Sequence, residues 1–187
     1  MRVKRVLAVG VLSLVLALSS MALFGCGGNS DEQAIRNSVS SELDMLKNAS
    51  DEGVAAFTEG AGEDAFMDFG ISNEQFVKEY FAGFDYAIDS ITIDGDTATV
   101  QVTLTIRTLS DFQEVFTAKT EEFVASDEML AFETEDELNQ KLGELLIDSI
   151  KSTELVTTDP ISITYNKVDG EWVADNAAGD VISEAMM

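Results

Sequence analysis

Thr97-Ala98-Thr99-Val100-Gln101-Val102-Thr103-Leu104-Thr105-Ile106-Arg107-Thr108 alternates polar and apolar residues as far as Arg107. A period of two places successive side chains on opposite faces, so this is a strand with one buried and one wet face. Ala98, Val100, Val102, Leu104 and Ile106 take the first face; Thr97, Thr99, Gln101, Thr103, Thr105 and Arg107 take the second. Just upstream, Asp94-Gly95 follows a β-like run from Phe84 to Ile93. Asp-Gly between alternating segments is a strong hairpin signal. A turn at these two residues pairs Ile93 with Asp96 and Ile91 with Ala98. Continued unbroken, it sets Asp89 opposite Val100 and Asp85 opposite Leu104, with both carboxylates on the core face. One extra residue near Asp89-Ser90 brings Ile88, Tyr86 and Phe84 there instead, so a β-bulge that bends the sheet is expected.

A second hairpin lies near the end of the chain. Pro160 opens a strand with Ile161, Ile163 and Tyr165 on one face, and Asp169-Gly170 supplies the turn. Its register sets Ala174 opposite Tyr165 and Trp172 opposite Lys167.

Helical spacing surrounds the hairpins. Ser30-Asp31-Glu32-Gln33 reads as a capping box before Ile35, Val39, Leu43 and Leu46. A second helix starts at Ser50, carries Val54 and Phe57, and is broken by Gly60-Ala61-Gly62. A turn with Phe66 and Phe69 follows. Ser72-Asn73-Glu74-Gln75 then caps a helix presenting Phe76, Tyr80 and Phe81. Between the hairpins, Ser110-Asp111-Phe112-Gln113 and Thr134-Glu135-Asp136-Glu137 open two more helices. The first carries Phe112, Val115, Phe116 and Phe123; the second carries Leu138, Leu142, Leu145, Leu146 and Ile150. Ala125 to Glu133 is read as a loop or loose turn, and Gly179 to Met187 as a short helix.

The N-terminus reads as an address. Arg2, Lys4 and Arg5 precede an apolar run from Val6 to Leu18, then a small-residue site before Cys26. Leu23-Phe24-Gly25-Cys26 resembles the bacterial lipobox. That resemblance implies a diacylglyceryl group on the Cys26 thiol and cleavage before it. A transmembrane helix over Val6 to Gly25 is the competing reading, since about 20 apolar residues can span a bilayer. The position of the only cysteine favours the lipid anchor. The expected organisation is a signal over residues 1–25, a lipidated cysteine and short tether over 26–30, and one α+β domain over 31–187. The product is exported and held to the membrane outside the cytoplasm.

Composition narrows the chemistry. Of 11 basic and 35 acidic residues, Arg2, Lys4 and Arg5 are the only charged ones before Cys26, so 8 basic and 35 acidic remain after cleavage, a net of −27. A surface this negative repels nucleic acid and anionic headgroups. The chain has no histidine, and no free cysteine once Cys26 is lipidated. Ser-His-Asp and Cys-His catalysis and His- or Cys-based zinc sites are therefore excluded, and no cofactor is implied. An internal disulfide is impossible, so stability must come from packing.

Ile93-Asp94-Gly95-Asp96-Thr97-Ala98-Thr99-Val100, followed late in the chain by Lys167-Val168-Asp169-Gly170-Glu171-Trp172-Val173, is similar to strands of exported lipoproteins of the nuclear-transport-factor-two-like, or cystatin-like, superfamily. The resemblance implies a cone-shaped domain whose curved antiparallel sheet, built from the two Asp-Gly hairpins, packs on N-terminal helices. The helix pair over 111–152 is an insertion relative to that pattern. The resemblance also implies a cone mouth that can hold a small apolar ligand, and it covers both enzymes and binding domains.

Candidate lining residues are Phe69, Tyr80, Phe84 and Tyr86, against the plainer reading that they are core. Asp94, Asp96, Asp169 and Glu171 are explained by turn chemistry, and the Glu133 to Glu137 acids by a helix N-terminus. No metal site or catalytic residue is nominated. The leading expectation is a non-catalytic binding or interaction module; a carboxylate- or tyrosine-based enzyme and an envelope assembly factor are the alternatives. A buried carboxylate beside Tyr80 or Tyr86 would favour the enzyme, and an exposed apolar patch the assembly factor.

Overall fold

The computed structural model describes residues 28–59 and 66–187. The signal, Cys26 and the Gly60-Ala61-Gly62 break lie outside the described residues, as does the Phe57 side chain. The fold is α+β. β1 (Asp85–Asp94), β2 (Thr97–Ile106), β3 (Val156–Thr157), β4 (Ile161–Val168) and β5 (Glu171–Ala174) form one antiparallel sheet of order β1-β2-β4-β5, with β3 beside the far end of β2.

Alternation along β2 decides the layering. Ala98, Val100, Val102, Leu104 and Ile106 are buried, while Thr99, Gln101, Thr103 and Thr105 are half-exposed on the other face. In β1, Ile88 pairs with Val102 and Ser90 with Gln101, so Asp89 is the extra residue of a bulge. Ile93, Ile91, Ile88 and Tyr86 consequently all lie opposite core residues of β2. Asp85 and Asp89 are exposed, and the Thr103 hydroxyl donates to Asp89 Oδ2 at 2.7 Å. An unpaired carboxylate turned into the core would cost several kcal/mol, and the bulge avoids it.

The first turn differs from the expected one. Asp94 pairs with Thr97, so the loop residues are Gly95 and Asp96, not Asp94 and Gly95. Only Gly95 of the two has positive φ, at 62°. The Asp96 carbonyl accepts from Lys167 N at 2.8 Å, which ties this loop to β4. The pairing is displaced by two residues, and a displacement of two leaves every side chain on its face. In the second hairpin Asp169 (φ 53°) and Gly170 (φ 89°) form the loop, Ala174 lies opposite Tyr165 and Trp172 opposite Lys167.

The helices are α1 (Gly28–Lys47), α2 (Asp51–Glu59), α3 (Asn73–Tyr80), α4 (Leu109–Ala125), α5 (Glu135–Ser152) and α6 (Ala178–Ala185). α1 begins at Gly28, ahead of Ser30, so most of the expected tether is helix. Its buried stripe of Ile35, Val39, Leu43 and Leu46 packs across the inner sheet face, from β5 at one end to β1 at the other. Salt bridges hold both ends: Asp31 to Lys167 at 3.0 Å and Lys47 to Asp85 at 2.7 Å. Ser72 caps α3 by accepting from Gln75 N.

Thr108, not Ser110, caps α4, because β2 ends at Ile106 and the Thr108 hydroxyl reaches Asp111 N. The first N–H groups of α4 would otherwise lack partners; Leu109 and Ser110 donate to the carbonyls of Met186 and Met187 past the end of α6. Thr134 and Glu137 form a reciprocal capping box at α5. Between these helices the chain makes a 3-10 turn, Asp127–Ala131. Arg107 joins the parts: its guanidinium donates to the carbonyls of Tyr80, the last residue of α3, of Ala82 just past it, and of Thr153 after α5. A cation is favoured at helix C-termini, where the carbonyl dipoles gather.

Candidate functional site

On α1, Ser38 and Glu42 stand one turn apart beside the apolar stripe. Across from them is Tyr165, fully buried on β4 between Ala98 and Ala174 of its neighbouring strands. The alanines leave the ring room. The Tyr165 hydroxyl donates to Glu42 Oε2 and the Ser38 hydroxyl to Glu42 Oε1, each at 3.4 Å. Burial pushes the Glu42 carboxyl up to about 7, the two hydroxyls offset this only in part, and no cation among the described residues offsets the rest. Burial also raises the Tyr165 phenol, helped by the nearby Glu42 charge. The phenol therefore stays neutral while the carboxyl exchanges its proton near neutrality. Such a carboxyl can act as a general acid or base.

This pair was not nominated from sequence. Glu42 and Tyr165 are 123 residues apart, and no local pattern joins them. One signal was present: Glu42 occupies a position, three after Val39, where the helical period calls for an apolar residue.

The residues that were nominated lie elsewhere. Tyr80 is buried between Phe76 (5.9 Å, stacked) and the edges of Phe81 and Phe112, and its hydroxyl donates to the Arg107 carbonyl. Phe84 meets Phe81 edge-on at 5.8 Å, so these two candidates are linked through Phe81. Tyr86 faces α1, where its hydroxyl donates to Asp44 Oδ1 at 2.9 Å. Phe69 is half-buried at the end of a short 3-10 helix, with its carbonyl under α5. Cys26 lies outside the described residues. At the hairpin end, Lys167 lies over the Trp172 ring and bridges to Asp31, holding that carboxyl below its usual range. The Trp172 indole N–H lowers it further, yet Nε1 has no acceptor within hydrogen-bond geometry, so that contact is electrostatic. Among the described residues, no three acids converge as a metal site, and no helix is long and apolar enough to cross a membrane.

The third feature is the far end of the α4–α5 pair. The helices run 17 and 18 residues, or about 25 Å each at 1.5 Å per residue. Near their roots, Phe112, Leu146 and Ile150 belong to the main core. Phe123, though buried, is not part of that core; it meets Phe132 edge-on at 5.7 Å and lies under the Lys141 ammonium. The tip beyond it exposes Leu130 (85%), Val124 (54%) and Met129 (39%). Eight acids and no basic residue lie between Lys119 and Lys141. Both lysines are engaged inside the pair, Lys119 with Asp148 and Lys141 with Glu128 at 2.7 Å.

The roots of this pair lie at the Ile106 end of β2. The N-terminus of α1 lies at the Thr97 end, where Asp31 meets Lys167 and Lys167 N meets Asp96. No family model, no curated protein and no solved structure matches the chain.

Proposed function

We propose that this chain is an exported, lipid-anchored interaction module, cleaved before Cys26 and non-catalytic, that holds the α4–α5 tip out for an exported protein. The observation that carries the reading is the exposed apolar tip of Val124, Met129 and Leu130, beyond the main core. Exposed apolar groups gathered at one place mark contact surfaces. The start of α1 two residues after Cys26 supports the anchor's role: lipid at that position would set the hairpin turns toward the membrane and root the helix pair at the opposite end of the sheet. The bulge at Asp89 and the course of α1 over the inner face support a curved sheet wrapped on its N-terminal helices, as in the cone-shaped superfamily.

The test has two arms in the native host. Fatty-acid labelling is expected on the wild type and not on Cys26→Ala; label on both, or on neither, removes the anchor. A photo-crosslinking residue placed at position 130 of the full chain is expected to give a discrete protein adduct that the same residue at position 92, exposed on β1, does not give. No adduct at 130 removes the interaction role.

A second reading, a carboxylate- or tyrosine-based enzyme, is favoured by Glu42 beside Tyr165. It requires a small molecule to reach Glu42. Fragment screening by NMR with Glu42→Gln as control would reveal binding at that carboxyl and its loss in the variant.

A further inference from the structure

We infer that the partner of the α4–α5 tip is a cationic amphipathic segment of another protein, with its apolar residues on Val124, Met129 and Leu130 and its Lys or Arg side chains on the acids around them. The inference rests on the proposed reading of the tip as an interaction surface, and it names the occupant.

Charge decides among the occupants. Glu121, Glu122, Asp127, Glu135 and Asp136 are exposed around the tip and make no ion pair among the described residues. The lysines bracketing this run are engaged within the helix pair, so cations for these acids must come from outside. A bilayer with anionic headgroups would be repelled by the ring before Leu130 could insert. A second copy would bring an identical acidic ring against the first, and like charges facing each other oppose association. An apolar segment flanked by Lys or Arg satisfies both parts of the surface. Met129 on the 3-10 turn, an unbranched thioether, adapts to varied apolar shapes. The partner class is therefore set by pattern, apolar residues with basic neighbours, more than by one fixed sequence.

The probes are three 18-residue peptides: Leu/Lys, Ser/Lys with the same charge, and Leu/Glu with the same apolar content. Each is titrated against the full-length lipidated chain in phosphatidylcholine nanodiscs, with empty nanodiscs subtracted. The Leu/Lys peptide is expected to bind. Its affinity should fall about tenfold between low and high salt, and about tenfold or more in Met129→Ser/Leu130→Ser. Glu121→Gln/Glu122→Gln/Asp127→Asn should weaken it while leaving the circular dichroism spectrum unchanged. Equal binding of Ser/Lys, indifferent to the Met129/Leu130 variant, would reduce the tip to diffuse charge attraction and overturn the inference. Equal binding of Leu/Glu would overturn its basic half. Binding to phosphatidylglycerol vesicles that depends on Leu130 would make the occupant a bilayer, and self-association lost in the variant would make it a second copy; either overturns the inference. If no peptide binds while the position-130 adduct persists in cells, the partner class is wrong and the interaction reading stands. If the adduct is also absent, both fall.

Discussion

Glu42 is the residue with the sharpest measurable consequence. Its carboxyl titrates near 7 in the folded chain, raised by burial, against about 4.3 in an unfolded one. A raised acid favours the protonated form in the fold. Between about pH 4.5 and 7 the folded state therefore holds more protons than the unfolded state, and Glu42 costs stability progressively as pH rises, with the full cost reached above 7. Asp31, Asp85, Glu74 and Glu137 are shifted the other way by their partners, so comparison with a variant isolates Glu42. Glu42→Gln, which mimics the neutral acid, should stabilise by about 2 kcal/mol at pH 8 and by almost nothing at pH 4. Urea unfolding at both values checks it; equal effects at both would show that the Glu42 proton is not linked to folding.

At the scale of elements, two close fits dominate. α5 crosses the Phe69 carbonyl at Gly143, where a Cβ would stand 2.1 Å from the oxygen. Neither backbone segment can yield far, so Gly143→Ala should destabilise by about 3 kcal/mol and lower the thermal midpoint accordingly. An unchanged midpoint would mean that α5 can slide. The other is the bulge in β1. Deleting Asp89 keeps Ile88 opposite Val102 and every face as it is, losing the Thr103 bond and the local bend, a cost of about 1 kcal/mol. Deleting Ala87 would turn Tyr86 to the polar face and sever its contact with α1. The second deletion should be several kcal/mol worse. Equal urea midpoints for the two would contradict the register.

For the whole molecule, charge is the leading property. The chain carries 35 acidic residues against 11 basic ones, an excess of 24 negative charges, against eight ion pairs among the described residues. Most of these pairs are exposed and contribute little. Screening should relieve more repulsion than it weakens attraction. Raising sodium chloride from low concentration to about 0.3 M should therefore raise the melting temperature of the domain. A melting temperature that falls with salt would show that the few ion pairs outweigh the net charge. The apolar part of the tip lies outside the packed core: Leu130 is 85% exposed, so Leu130→Ser should change stability by less than about 0.5 kcal/mol.

What was legible in the sequence followed from local rules. Alternation in Thr97 to Ile106 set which face of β2 is buried, and the phase change before Ile91 called for an extra residue where Asp89 stands. Caps at Ser72 and Thr134 were legible because capping joins residues three apart. The cap at α4 was misplaced by two residues, since where β2 ends is decided by its partners and by Arg107, not by local preference. The first turn slid by two because the Asp94-Gly95-Asp96 stretch allows two loops that preserve the faces, and the bond from Lys167 to Asp96 is long-range. β3 was not foreseen: two residues are too short to show a period. The meeting of Glu42 with Tyr165, beyond the single out-of-period carboxylate, and the exposed tip of the helix pair belong to tertiary structure. Burial depends on which distant segments pack together, and neither a raised carboxyl nor an uncovered leucine can be recognised until that packing is known.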